Sequence, residues 1–209
     1  TAFSPSLSIH DGVPYVVFQD YLYEWNYGAT VMKYDFVRDE WDTVGERAFT
    51  KEMASNTSLF ISNGKLFAAY EDDAGKPVVM TFDEDSGQWE LVGEAGFSQN
   101  QAYELALFVD DGVYAAYRDF DDDNKITVKK FTGEEWITVG SAGFTARGAF
   151  GPSLFVDNGV PYMAYAERKG HGFIASVMKY AEIPAPTVTV YSPENGAEHV
   201  PVDANLTLT

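Results

Sequence analysis

One block of sequence occurs four times along this chain, and no other feature narrows its fold as much. Ser6–Asp20 reads Ser-Leu-Ser-Ile-His-Asp-Gly-Val-Pro-Tyr-Val-Val-Phe-Gln-Asp, and it aligns with Ser58–Asp72, Ala106–Asp119 and Ser153–Glu167. The third copy is one residue shorter after its glycine. A second block, Trp-x-x-Val-Gly, follows the first three copies as Trp41–Gly45, Trp89–Gly93 and Trp136–Gly140. The turn glycines Gly12, Gly64, Gly112 and Gly159 are 52, 48 and 47 residues apart, and the tryptophans 48 and 47.

Each unit predicts four short strands. The first is Ser-Leu-x-Ile/Val, closed by Asp11-Gly12, Asn63-Gly64, Asp111-Gly112 or Asn158-Gly159, dipeptides that tolerate positive φ at both central positions of a tight hairpin. The second alternates aromatic and small residues, as in Phe67-Ala-Ala-Tyr70. The third runs Ala29–Tyr34, Pro77–Phe82, Ile126–Phe131 and Ala175–Tyr180, and the fourth is the tryptophan strand. No segment carries a capped 3.6-residue apolar period, so the chain is all-β. A four-stranded unit repeated in tandem cannot bury both faces alone and must stack on its neighbours, which makes this a β-propeller of four-stranded blades. The units fall at about 1–48, 49–96, 97–143 and 144–182. The last lacks its outer strand, and the expectation is that a strand or further blades preceding Thr1 complete the ring.

The pattern Ser-Leu…Gly-x-Pro-Tyr-x-Ala-Tyr-x-Asp…Val-x-Lys-Tyr/Phe…Trp-x-x-Val-Gly resembles the propeller repeats of large bacterial and archaeal cell-surface or secreted proteins. That resemblance covers residues 1–182 and implies an extracellular or cell-surface setting. After a Pro-rich linker, 183–186, the segment 187–209 resembles the opening strands of bacterial immunoglobulin-like domains, so the piece is expected to belong to a longer multidomain chain that starts before Thr1.

Composition excludes some functions. Thirty-two acidic against 14 basic residues give a net charge of −18, which repels phosphate backbones and anionic lipid, so neither nucleic acid nor a membrane is an expected partner. No apolar run is long enough to span a bilayer. With no cysteine there is no disulfide frame, thiolate ligand or cysteine nucleophile. His10, His171 and His199 share no metal-ligand spacing, and no G-x-S-x-G, phosphate-binding loop or dinucleotide fingerprint is present. The five arginines occupy unequal places in their units, and Asp85-Ser-Gly-Gln-Trp89 is one residue short of the Ser-x-Asp-x-Gly-x-Thr-Trp box of sialidase propellers.

Three groups remain as candidate sites. Tyr21, Tyr23, Trp25 and Tyr27 alternate, share one side of an extended segment, and can stack on sugar rings or partner side chains. Asp119, Asp121, Asp122, Asp123 and Asn124 put five oxygen donors in six residues, a composition that suits Ca²⁺ or simply a solvated acidic loop. Asp20, Asp72, Asp119 and Glu167 end the second strand of each unit and can cap the following turn or line a rim. The long, variable segments are expected on one face of the ring, where binding residues gather on rigid scaffolds. The expectation is a non-catalytic binding or adhesion module, not an enzyme, that recognises carbohydrate or a surface protein. A structural spacer is the alternative, and a polysaccharide-active enzyme the third reading.

Overall fold

A computed structural model describes residues 2–21, 27–50, 52–170 and 172–180. Among them the chain forms fifteen strands and no helix, arranged as four antiparallel meanders. The first sheet holds β1 (Ala2–His10), β2 (Val13–Asp20), β3 (Ala29–Asp35) and β4 (Glu40–Thr43). The second holds β5 (Ser55–Ser62), β6 (Lys65–Glu71), β7 (Pro77–Asp83) and β8 (Gln88–Leu91). The third holds β9 (Ala102–Val109), β10 (Val113–Asp119), β11 (Lys125–Phe131) and β12 (Trp136–Thr138). The fourth has three strands, β13 (Ala149–Asp157), β14 (Val160–Lys169) and β15 (Gly172–Lys179). This is the expected four-stranded propeller blade, with three strands in the last one among the described residues. The linker and the immunoglobulin-like segment lie outside the described residues.

The blades follow one another as the repeat requires. The first strands pack in series, β1 on β5, β5 on β9 and β9 on β13, so they line the axis of the stack. Among the described residues no comparable packing joins β13 back to β1. Three apolar clusters fill the gaps between successive blades. Val17, Ala29 and Val31 of the first blade meet Leu59, Ala68 and Tyr70 of the second, and the pattern recurs between the second and third and the third and fourth. Alternation puts one side of each strand against the preceding blade and the other against the next, so a propeller strand is buried on both faces.

Three of the four Asx-Gly turns have positive φ at both residues, as at Asn63 (49°) and Gly64 (80°). The Asp111-Gly112 turn differs. Val109 pairs with Val113 across a three-residue loop, whereas His10 pairs with Val13 across two residues. The missing residue of the third copy is thus absorbed in the turn, and β10 keeps the in/out assignment of its side chains; a one-residue slip would have turned all of them over.

The tryptophan block has a defined mechanical role. Trp89 donates its indole N–H to the Val44 carbonyl of the preceding blade at 3.0 Å and stacks on Phe49 at 4.5 Å. Trp136 repeats this on Val92 (2.8 Å) and Phe97 (4.1 Å). The glycine of the block is required by crowding and by conformation. Gly93 has φ 72°, and a Cβ there would lie 2.6 Å from the Phe131 ring and 3.0 Å from the Trp136 indole nitrogen. Gly93→Ala is expected to cost about 1–3 kcal/mol, because the left-handed backbone and the overpacked contact both oppose the methyl group; chemical denaturation of the two proteins measures it. An unchanged midpoint would refute the packing role.

Candidate active site

Each blade pairs the start of its first strand with the end of its second: Ala2 with Asp20, Ser55 with Glu71, Ala102 with Asp119 and Ala149 with Glu167. The segments joining second to third strands therefore emerge beside the inter-blade connections, and the short hairpin turns lie at the other end. The loop-rich face expected from the sequence is present.

Near the axis of that face each first strand carries a bulge, and the bulged residue has positive φ in all four copies: Ser4 (48°), Asn56 (49°), Glu104 (56°) and Gly151 (57°). These four residues, each with the one that follows it, line a cavity of about 340 Å³. A strained backbone repeated at an axial cavity re-aims side chains there.

Glu104 is part of the cavity wall, and Glu71, which is not, is hydrogen-bonded to the lining residue Asn56. Glu71, the last residue of β6, is only 2% exposed. Its Oε2 accepts a hydrogen bond from the Asn56 side chain at 2.9 Å, the Glu104 backbone N–H also donates to the carboxyl group, and Oε1 has no partner within the protein. Burial, the dominant cause, pushes its pKa up to about 7, with the nearby Glu104 charge adding to the rise and Asn56 opposing it. Glu104 comes from the third blade and faces the cavity. Its Oε2 accepts from the Gly151 N–H at 2.6 Å, and its Oε1 lies 3.5 Å from the Arg118 guanidinium. Arg118 is in turn held over the rings of Tyr103 (5.6 Å) and Phe150 (4.9 Å), and its Nε has no hydrogen-bond acceptor in the protein. A carboxylic acid that holds its proton near neutral pH thus sits beside a second carboxylate fixed by an arginine. That is the donor set of acid–base chemistry.

The residues singled out in the sequence lie around this centre. Tyr21 and Tyr27 pack together with ring centroids 5.0 Å apart at the rim of the first blade, whereas Tyr23 and Trp25 fall outside the described residues. The strand-end acids act locally. Asp72 Oδ1 accepts from the N–H groups of Ala74 (2.9 Å) and Lys76 (2.8 Å), and Asp119 Oδ1 accepts from Asp121 N–H (3.2 Å). Glu167 accepts from the Ser176 hydroxyl at 2.7 Å. Asp20 accepts from the Thr30 hydroxyl and from Arg47, and the Arg47 hydrogen bond holds its carboxyl below the usual aspartate range. In the acidic loop Asp122 pairs with Lys125 at 3.2 Å, while Asp123 and Asn124 adopt positive φ. Among the described residues no three His, Asp or Glu side chains converge so as to hold a metal ion. Of the arginines, Arg38 bridges Asp35, Glu40 and Asp42 near the β3–β4 turn, at the end of the blade opposite the loop-rich face.

Motif reading missed Glu71, Glu104, Arg118 and Asn56. A signal was available in the repeats. The position Gln19/Glu71/Arg118/Ala166 changes chemistry from unit to unit, while the aromatic before it and the acid after it recur in all four; Ser4/Asn56/Glu104/Gly151 also changes, but among flanking residues that vary with it. Where a repeat stops repeating, the fold no longer dictates the residue.

No protein-family model and no curated protein sequence matches the chain. Solved structures do resemble it. The Bacteroides ovatus xyloglucan PUL protein GH43B is 13% identical with a TM-score of 0.53 over 85% of this chain and 40% of its own. An exo-β-1,3-galactanase from Clostridium thermocellum is 11% identical with a TM-score of 0.55, covering 81% and 43% of the two chains. An α-L-arabinofuranosidase from the same organism is 19% identical with a TM-score of 0.51, covering 86% and 67%. The chain thus spans less than half the length of the first two. At these identities the likeness establishes the propeller fold. It also corrects the sequence-based expectation of a non-catalytic adhesion or spacer module: the fold is one that glycoside hydrolases use. The reason for the miss is physical. The acids belong to different blades and come together only when the ring stacks, so no linear motif contains them.

Proposed function

We propose that the protein acts on a polysaccharide or glycoside at the axial cavity, with Glu71 as proton donor and Glu104 as the second carboxylate. The observation that carries this reading is the buried Glu71 carboxyl, with a pKa of about 7 and one oxygen free, next to the arginine-held Glu104. Glycosidic cleavage needs such a pair: one carboxylic acid protonates the departing oxygen while the other, ionised, serves the opposite side of the sugar ring. The glycoside hydrolases among the structural neighbours support it. Tyr21 and Tyr27 on the same face offer ring surface for stacking sugars.

The setting we propose is extracellular, where polysaccharide is met. The acidic, cysteine-free composition and the resemblance of the repeats to surface and secreted proteins support it.

The test is release of reducing ends from arabinan, xylan, galactan and xyloglucan by the purified protein and by Glu104→Gln. Hydrolysis of at least one polymer that falls at least about 100-fold in the variant is the expected result. A folded protein inert on all four, or a variant as active as the parent, contradicts the proposal.

A further inference from the structure

Asn56 and Glu71 have counterparts in every blade, and comparing them separates what the architecture needs from what the second blade adds. The bulged residue of the first strand is Ser4, Asn56, Glu104 or Gly151, and the corresponding residue of the second strand is Gln19, Glu71, Arg118 or Ala166. The second blade joins the two by a hydrogen bond, Asn56 Nδ2 to Glu71 Oε2 at 2.9 Å, and the third by an ion pair, Arg118 to Glu104 at 3.5 Å. The fourth has only glycine and alanine there, yet keeps the bulge and its register shift. The fold therefore does not require the Asn56 amide. At φ 49° Asn56 lies in the left-handed region, which asparagine tolerates better than most side chains, and the bulge turns its amide onto Glu71.

A protonated carboxyl group has two unlike oxygens: the hydroxyl oxygen donates and the carbonyl oxygen accepts. Because Asn56 donates to Oε2, Oε2 is the carbonyl oxygen and the proton belongs on Oε1. Oε1 has no hydrogen-bond partner in the protein, so that proton is not spent on an internal acceptor. The neighbouring groups do not compete for it. Within its own sheet Glu71 pairs with Ser55 of β5 and Pro77 of β7. From the third blade, Glu104 of β9 acts on the carboxyl through its charge and its backbone N–H, and Arg118 of β10 through its charge. The Glu104 carboxylate is itself engaged, Oε2 by the Gly151 N–H and Oε1 by the Arg118 guanidinium.

We infer that Asn56 is a positioning residue: its amide holds Oε2 as the carbonyl oxygen and so fixes the Glu71 proton on Oε1, the oxygen left for an acceptor outside the protein. The inference rests on the reading of Glu71 as proton donor, but the place of the proton is observable without turnover.

Asn56→Gly puts the fourth blade's residue into the second blade, where the backbone accepts it, and removes the amide. Infrared difference spectra across a pH titration give the carbonyl stretch of protonated Glu71 and its midpoint, the band being assigned by its absence from Glu71→Gln. In Asn56→Gly the band is expected at higher frequency, because the carbonyl has lost a donor. The midpoint is expected about one pH unit higher, because the same donor also stabilised the carboxylate. On whichever polymer the parent cleaves, kcat is expected to fall about 10-fold with KM unchanged, and the falling limb of the pH–rate profile to move up with the midpoint. Asn56→Ser, the first blade's residue, has a shorter side chain and carries the same expectations if glycine loosens the strand. An unchanged band and midpoint in a folded variant overturn the inference, whatever happens to stability or rate, and leave Glu71 as the donor. A shifted band and midpoint in a protein that cleaves no polymer uphold the placement of the proton and contradict the proposed function instead.

Discussion

Trp136→Ala is expected to destabilise the protein by about 3–5 kcal/mol, the range for removing a large buried aromatic. The indole is nearly inaccessible, stacks on Phe97 at 4.1 Å and packs in the cluster shared by the second and third blades. Its loss leaves a cavity at a blade junction and an unpaired Val92 carbonyl. Neither blade can close that gap alone, because their spacing is set by the backbones of four strands on each side. Trp41→Ala is the internal control. Its residue type and place in the repeat are the same, but its ring is exposed, so a change within about 0.5 kcal/mol is expected. Urea denaturation of the three proteins gives both numbers. Equal losses at Trp41 and Trp136 would mean that the tryptophan stabilises its own blade and not the junction.

The second large effect concerns Glu71 and has a sign that can be worked out. Its pKa is raised from 4.5 in the unfolded chain to about 7 in the fold, chiefly by burial. The folded state therefore binds the proton more tightly, and the stability linked to this group is fully present below pH 4.5. That contribution is lost as pH rises through about 7, when a carboxylate must be held with one oxygen unpaired. The loss amounts to about 3 kcal/mol over that interval. Glu71→Gln keeps the shape and cannot ionise. It is expected to lack this slope and to be more stable than the parent above pH 7, while losing activity. Stabilisation with loss of function marks a residue kept for chemistry. A variant that unfolds with the parent's pH dependence would show that the slope arises elsewhere.

The fold was legible because a propeller writes its architecture in the chain: a hairpin dipeptide, an aromatic/small alternation and a tryptophan strand recur at nearly constant spacing. Even the shortened third copy was visible, although only the structure shows that Val109–Val113 pairing absorbs it in the turn. The candidate site was not legible as a motif. Glu71 reads as a neighbour of the repeated Asp72, and Glu104 as one residue in a strand of mixed composition. Their juxtaposition depends on the bulges at Asn56 and Glu104 and on the stacking of β5 against β9. The rim aromatics and the acidic loop drew attention because they are dense in sequence. Most of the strand-end acids turn out to cap turns or pair locally, which explains their recurrence without a ligand.

The most direct test of the central claim is the pH–rate profile of whichever glycan the protein hydrolyses, measured for the parent and for Glu71→Gln. The expected result is a rate that falls as pH rises through about 7, where Glu71 loses its proton, and a variant about 10²–10⁴-fold slower without that limb. A variant with the parent's rate and the parent's profile would contradict the assignment of Glu71 as the acid, and with it the axial cavity as the place where the chemistry occurs.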